Sequence, residues 1–209
     1  MSADTLPLPP AGLSGVVPAP ELAAWVWGEL VSSDGPLHNP DHAHLEEWEA
    51  HVGFLWAGEP LTKSGRRVLG RCRLGRPTGD AWAQAEKREQ LAGWFGAVPD
   101  FVVTIDAHHH AHTVRTGRPA AALATLDHEL YHCGIDRDRW GAQRFLKDGS
   151  PVWGIRGHDV EEFVGVVRRY GSDAAGVTAL VDAARQRPEV GPAELDGVCG
   201  CGAAIGGAR

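Results

Sequence analysis

The stretch that most constrains this chain is PAAALATLDHELYHCG, residues 119–134. Pro119 suits the first turn of a helix and Gly134 suits its stop, so the spacing predicts a helix from about Pro119 to Cys133. At about 100° per residue, Leu123, Leu126 and Leu130 fall together on one side. His128 and His132, at i and i+4, share nearly the opposite side, with the small residues Ala121 and Thr125 beside them. Such a helix has one face for a core and another for a cleft. The fold around it must cover the leucines and leave the histidines accessible.

Two imidazoles one turn apart can point their nitrogens at a single ion, at the ~2.0–2.1 Å of a zinc–nitrogen bond. Glu129 is turned to one side of the pair. From there it could take a proton from a water held by the metal and later return it to a departing amine. H-E-x-x-H on a helix is a signature of this chemistry. A catalytic zinc also needs a third protein ligand and an open position. The next histidine, His158, lies 26 residues after His132 and opens HDVEEFVGVVRRYG (158–171), which reads as an amphipathic helix ending at Gly171. Glu161 and Glu162 are the rival third ligands, and Asp159 could orient a ligand from behind. Arg156 and Tyr170 are candidates for stabilising an oxyanion.

The chain has 209 residues, 43% hydrophobic and 22% charged, enough for one domain with a real core. Residues 1–20 read as a disordered Pro-rich lead, 21–187 as the domain and 188–209 as a flexible Gly-rich tail. VGFLWA (52–57) and RRVLGRCRL (66–74) read as strands joined by the turn-rich GEPLTKSG. FVVTIDA (101–107) is the strongest strand, β-branched and mostly apolar. Helices are expected at 21–30 and at 42–51, the second capped by Asp41. Residues 80–96 fit a short helix or a long excursion, and 135–157 a polar loop. Helices, then strands, then helices make an α+β domain, with a small β-sheet packed against the H-E-x-x-H helix and flanking helices around it.

A net charge of −7 argues against holding nucleic acid by charge alone. Lys63, Arg66, Arg67, Arg71, Arg73 and Arg76 nevertheless form a run without an acidic residue, and 63–76 could make a weak nucleic-acid or anion contact. A solvated strand edge is the plainer reading. No stretch approaches the ~20 apolar residues of a membrane span. The first twenty residues lack the basic and apolar regions of a signal peptide, and the four cysteines form no framework, so a reduced, cytoplasmic setting is expected. His108, His109, His110 and His112 read as the exposed end of a strand, and His42 and His44 as surface or capping residues. Cys133 reads as a buried thiol. Cys199-Gly-Cys201 is assigned no role, and the oligomeric state is left unassigned.

LHNPDHAHLEEWEAHVGFLWA, GRRVLG, DFVVTIDA, ALATLDHELYHCG and GHDVEEFVGVVRRYG, in that order, resemble the phage metallopeptidase family, zincin-like proteins of phage and prophage-bearing bacteria. The resemblance spans residues 37–171. The chain is also similar to SprT-like metalloproteases, in which an H-E-x-x-H helix precedes a later histidine in an HGxxF-type segment. His158 and Phe163 stand in a comparable arrangement here. The resemblance implies a zinc-dependent peptidase acting on a protein or peptide, with His128, His132 and His158 as Zn2+ ligands and Glu129 as base. Three other readings fit the same motif. They are a zinc-binding phage interaction module without proteolysis, a metal-dependent hydrolase of another amide, and a DNA-associated protease using the basic run.

Overall fold

FVVTID is apolar without alternation, as expected of a strand buried on both faces. It forms β5 (Phe101–Asp106), with only Thr104 half-buried. The computed structural model describes residues 6–160, 164–174, 177–195 and 197–200. In it β5 lies at the centre of a mixed sheet. On one side it pairs in parallel with β2 (Val52–Ala57), Val52 opposite Phe101 and Ala57 opposite Asp106. On the other side it pairs antiparallel with β4 (Arg66–Leu74). The segment between β2 and β4 therefore does not close a hairpin between them, because the more apolar β5 inserts in the middle.

Outside this trio, β1 (Val16–Pro18), within the segment read as a lead, runs antiparallel to β2. β3 (Thr62–Lys63) and β8 (Val198–Cys199) both lie along the far edge of β4, β3 antiparallel and β8 parallel.

Helices cover both faces. α3 (Ala81–Phe95) resolves the ambiguous 80–96 segment. The Asp80 carboxylate accepts from the backbone N–H groups of Trp82 and Ala83, and Gly96 ends the helix at φ +80°. Its Leu91, Trp94 and Phe95 pack on Leu55 and Val102. The Phe95 ring lies so close over β2 that a Cβ at Gly53 would come within 2.8 Å of it. On the opposite face the main core joins Phe54, Trp56, Cys72, Phe101, Val103 and Ile105 of the sheet to α1 (Pro20–Val26), α4 (Ala107–Arg115) and α5 (Pro119–Tyr131).

Two expectations need correction in this layer. The histidine-rich segment after β5 is not a strand end: Asp106 caps a helix there, its Oδ1 accepting from the His109 N–H at 2.9 Å, and His109 and His110 turn inward and are buried. The 42–51 helix is only α2 (Ala43–Glu47), entered through a 3-10 turn, Pro40–His42. That turn is capped by Asn39, not Asp41: Asn39 Oδ1 accepts from the Asp41 N–H at 3.0 Å.

The expected polar loop 135–157 opens and closes with a two-stranded ladder, β6 (Cys133–Ile135) against β7 (Trp153–Ile155). Gly134 therefore sits in a strand directly after α5 instead of capping it, opposite Gly154. By contact density the chain divides into two units, Met1–Arg156 with Ala193–Gly202, and Gly157–Pro192 with Ala203–Arg209. The second holds α6 (Val164–Ala174), which is broken at Gly171 (φ +87°), and α7 (Thr178–Ala184). Among the described residues no helix is long and apolar enough to cross a membrane. The result is the mixed α+β arrangement of a small zincin-like fold, with its sheet against the H-E-x-x-H helix.

Candidate metal centre

α5 divides its faces as its periodicity predicts. Leu126 and Leu130 are fully buried and Leu123 nearly so, against the sheet and α4. Ala121 and Thr125 are also buried, and the Thr125 hydroxyl is satisfied within the helix by the Ala121 carbonyl at 3.0 Å. His128 and His132 project together from the last turn, their ring centroids 5.1 Å apart.

The rings are oriented from outside the helix. The β6–β7 ladder pairs Cys133 with Ile155, so the next pair along is His132 with Arg156. Two hydrogen bonds join that pair. The Arg156 N–H donates to the His132 carbonyl at 3.0 Å, and the His132 ring Nδ1–H donates to the Arg156 carbonyl at 2.6 Å. Committing Nδ1 to a carbonyl leaves Nε2 with its lone pair toward the site, the usual second-sphere arrangement of a metal-binding imidazole. The same ladder closes the excursion at its base.

Glu129, the expected base, is buried at 1% exposure beneath the imidazoles and against β4. It fits there because β4 has no side chain at that point. A Cβ at Gly70 would lie 2.7 Å from Glu129 Cγ and Oε1. Gly70 is thus a positioning residue for the carboxylate.

One residue of the cluster was not read from the sequence. Cys199, assigned no role, is carried by β8 to the same place, its Sγ 3.3 Å from His132 Nε2 and 3.9 Å from Glu129 Oε2. Within the first unit, one ligand atom from each of His128, His132 and Cys199 lies within 4.8 Å of the others, whereas His158, the expected third ligand, belongs to the second unit. Imidazoles and a thiol are the borderline donors zinc prefers, so this group could hold a metal ion. Hydrogen bonding to Cys199 raises the pKa of His128 above its ordinary value against the opposing effect of burial. For His132, burial opposes the charged form most strongly, but the contacts with Cys199 and the Arg156 carbonyl outweigh it and raise the pKa. The rival ligands Glu161 and Glu162, together with Phe163 and Cys201, lie outside the described residues. Of the oxyanion candidates, the Arg156 guanidinium sits over the Tyr131 ring, 5.6 Å from its centroid, and Tyr170 is largely exposed.

Other residues around the motif have a different task. Asp127 accepts from buried His42 Nε2 at 2.7 Å and from Asn39 Nδ2 at 3.1 Å. The Tyr131 hydroxyl donates to Asp41 Oδ2 at 2.7 Å, and His44 Nε2 donates to the Cys133 carbonyl at 2.7 Å. Asn39, Asp41, His42 and His44 thus form a polar brace along the end of α5, not the surface residues expected for His42 and His44. Burial alone would raise the pKa of Asp127, but the hydrogen bonds from His42 and Asn39 reverse this and hold it below the usual carboxylate value. The Cys133 thiol is buried as expected, 3.5 Å from Cys72 Sγ. Within the basic run, Arg67 is committed to a two-pronged pair with Asp106, at 2.6 and 2.8 Å, and so ties β4 to the capping residue of α4.

A mixed α+β fold with an H-E-x-x-H helix, a buried glutamate and a cluster of nitrogen and sulfur donors defines the class of metal-site protein to which this chain is similar. The family described as "Putative phage metallopeptidase" matches residues 23–185, and the chain belongs to that family. No curated protein and no solved structure gives a significant match, and the expected similarity to SprT-like proteases is not confirmed.

Proposed function

We propose that this protein is a zinc-dependent peptidase in which His128, His132 and His158 hold the metal and Glu129 is the general base. The observation that carries this reading is a carboxylate buried at 1% exposure beside a group of imidazoles able to hold an ion. A bound zinc would bring a water's pKa toward ~7 and polarise a carbonyl. Glu129 accepts the proton that the water gives up as it attacks, and returns it to the leaving amine. Burial keeps that carboxylate away from bulk water, and the close approach of Gly70 fixes its position. The hydrogen bond from His132 Nδ1 to the Arg156 carbonyl holds the ligating ring in register. The substrate is a protein or peptide, as the family name suggests. Cysteines without a C-x-x-C pair or a regular framework suit a reducing, cytoplasmic compartment.

The Glu129→Gln variant tests this reading. It is expected to retain about one zinc per chain, measured by mass spectrometry on protein purified without a chelating tag, while turnover of a peptide library falls by ~10²–10⁴. The His158→Ala variant is expected to lose most of its zinc. Full zinc in that variant moves the third ligand to Cys199, Glu161 or Glu162. Equal behaviour of Glu129→Gln and wild type would favour a zinc-binding interaction module instead of an enzyme.

A further inference from the structure

The segment Gly197–Gly200 carries more than a stray thiol. β8 runs along the edge of β4, Val198 opposite Val68 and Cys199 opposite Gly70, the same glycine that makes room for Glu129. The Gly200 N–H donates to the Gly70 carbonyl at 2.7 Å, and Arg66 reaches the Gly197 carbonyl at 3.4 Å. The two flanking glycines permit this seat. A Cβ at Gly197 would lie 2.4 Å from Leu69 Cγ and 2.6 Å from the Arg67 carbonyl oxygen, and one at Gly200 would lie 2.7 Å from Val68 Cγ1. The strap is therefore shaped to lie flat on the β4 edge just beyond its pairing with β3, the kind of surface onto which an extended peptide adds as a further strand. Its cysteine ends between a ligating imidazole and the base, 3.3 Å from His132 Nε2 and 3.9 Å from Glu129 Oε2. A catalytic zinc keeps its fourth position for water.

We propose that Gly197–Gly200 is a built-in inhibitor of the metal centre: the Cys199 thiolate takes the position the attacking water needs, and β8 takes the β4 edge a substrate strand needs. This rests on the peptidase reading. Release is a ligand exchange without oxidation or reduction, in which water replaces the thiolate and the freed sulfur takes a proton from solvent. A substrate strand or partner protein that claims the β4 edge would drive it. A strap seated roughly nine-tenths of the time would lower turnover by about tenfold.

The test uses the full chain with two readouts. The first is the rate of iodoacetamide alkylation at Cys199, followed by peptide mass spectrometry with and without zinc. The second is turnover of a peptide library. In wild type, zinc is expected to slow alkylation of Cys199 by about tenfold or more. Cys199→Ala is expected to keep its zinc and turn over about tenfold faster than wild type, and adding Glu129→Gln should abolish that gain. Gly200→Val keeps the thiol but clashes with Val68, so Cys199 should alkylate as fast with zinc as without, and turnover should rise. Equal alkylation rates in wild type with and without zinc overturn the proposal. So does Cys199→Ala that loses its zinc, which would make the thiol a structural ligand, or one that turns over at the wild-type rate while Glu129→Gln is inactive. Silence of every variant, with no difference on changing Glu129, would instead sink the peptidase reading, and the inhibitory role with it.

Discussion

At the scale of single residues, the buried Glu129 carboxylate depends on an atom that is missing from its neighbour. Glu129 can sit against β4 only because Gly70 has no Cβ, since one would meet Glu129 Cγ and Oε1 at 2.7 Å. The contact is with the middle of the glutamate side chain as well as its tip, so a rotation of the carboxylate does not relieve it. Gly70→Ala is therefore expected to displace the base while leaving the imidazoles in place. Zinc content should stay near wild type, turnover should fall by about tenfold or more, and stability should fall by ~1–3 kcal/mol from overpacking. A Gly70→Ala enzyme with wild-type turnover would show that the carboxylate does not need this seat.

At the scale of elements, α5 is held at three places: its leucines in the core, the β6–β7 ladder beyond its C-terminus, and the Asn39–His44 brace along its last turns. The leucine face was legible from periodicity, and the strands Val52–Ala57 and Arg66–Leu74 were legible to the residue, because burial leaves apolar and β-branched runs. The brace was not legible. A histidine followed by acidic residues reads as a solvated helix start, and only the approach of Asp127, 85 positions away, turns His42 inward. Replacing His42 by Ala removes a partner of a half-buried carboxylate. The expected cost is ~1–3 kcal/mol, read from the denaturant midpoint at constant slope. No shift in that midpoint would mean the brace does not stabilise α5.

At the scale of the whole molecule, α4 links the N-terminal segment to the sheet through His110. Its Nε2–H donates to the Pro7 carbonyl at 3.0 Å, its ring lies 4.8 Å from that of Trp56, and its buried Nδ1 has no hydrogen-bond partner among the described residues. Burial pushes its pKa down to about 4, with the Pro7 hydrogen bond opposing. Protonation would place a second N–H where nothing accepts it. The folded pKa lies below the unfolded value of ~6.5, so the native state binds fewer protons and stability falls as the pH drops from ~6.5 to about 4. The loss from this group approaches ~3 kcal/mol at the acid end, and above ~6.5 it contributes no slope. His110→Gln should flatten the urea midpoint between pH 7 and pH 4.5 relative to wild type. A variant as acid-sensitive as wild type over that window would refute the assignment.

The sequence by itself determined the division of faces on α5 and the strands beneath it. The spacing of two histidines and the period of the leucines are local properties of a helix, and the apolar runs are local properties of strands. Tertiary structure decided how these pieces meet. It inserted β5 between β2 and β4, folded the 135–157 excursion into a ladder that brings Arg156 against His132, and seated Cys199 beside Glu129. The reason is physical: hydrogen bonding along a sheet edge and close approach across glycines depend on which surfaces face each other after folding. Gly-Val-Cys-Gly has a partner only once β4 presents its edge at Val68–Gly70.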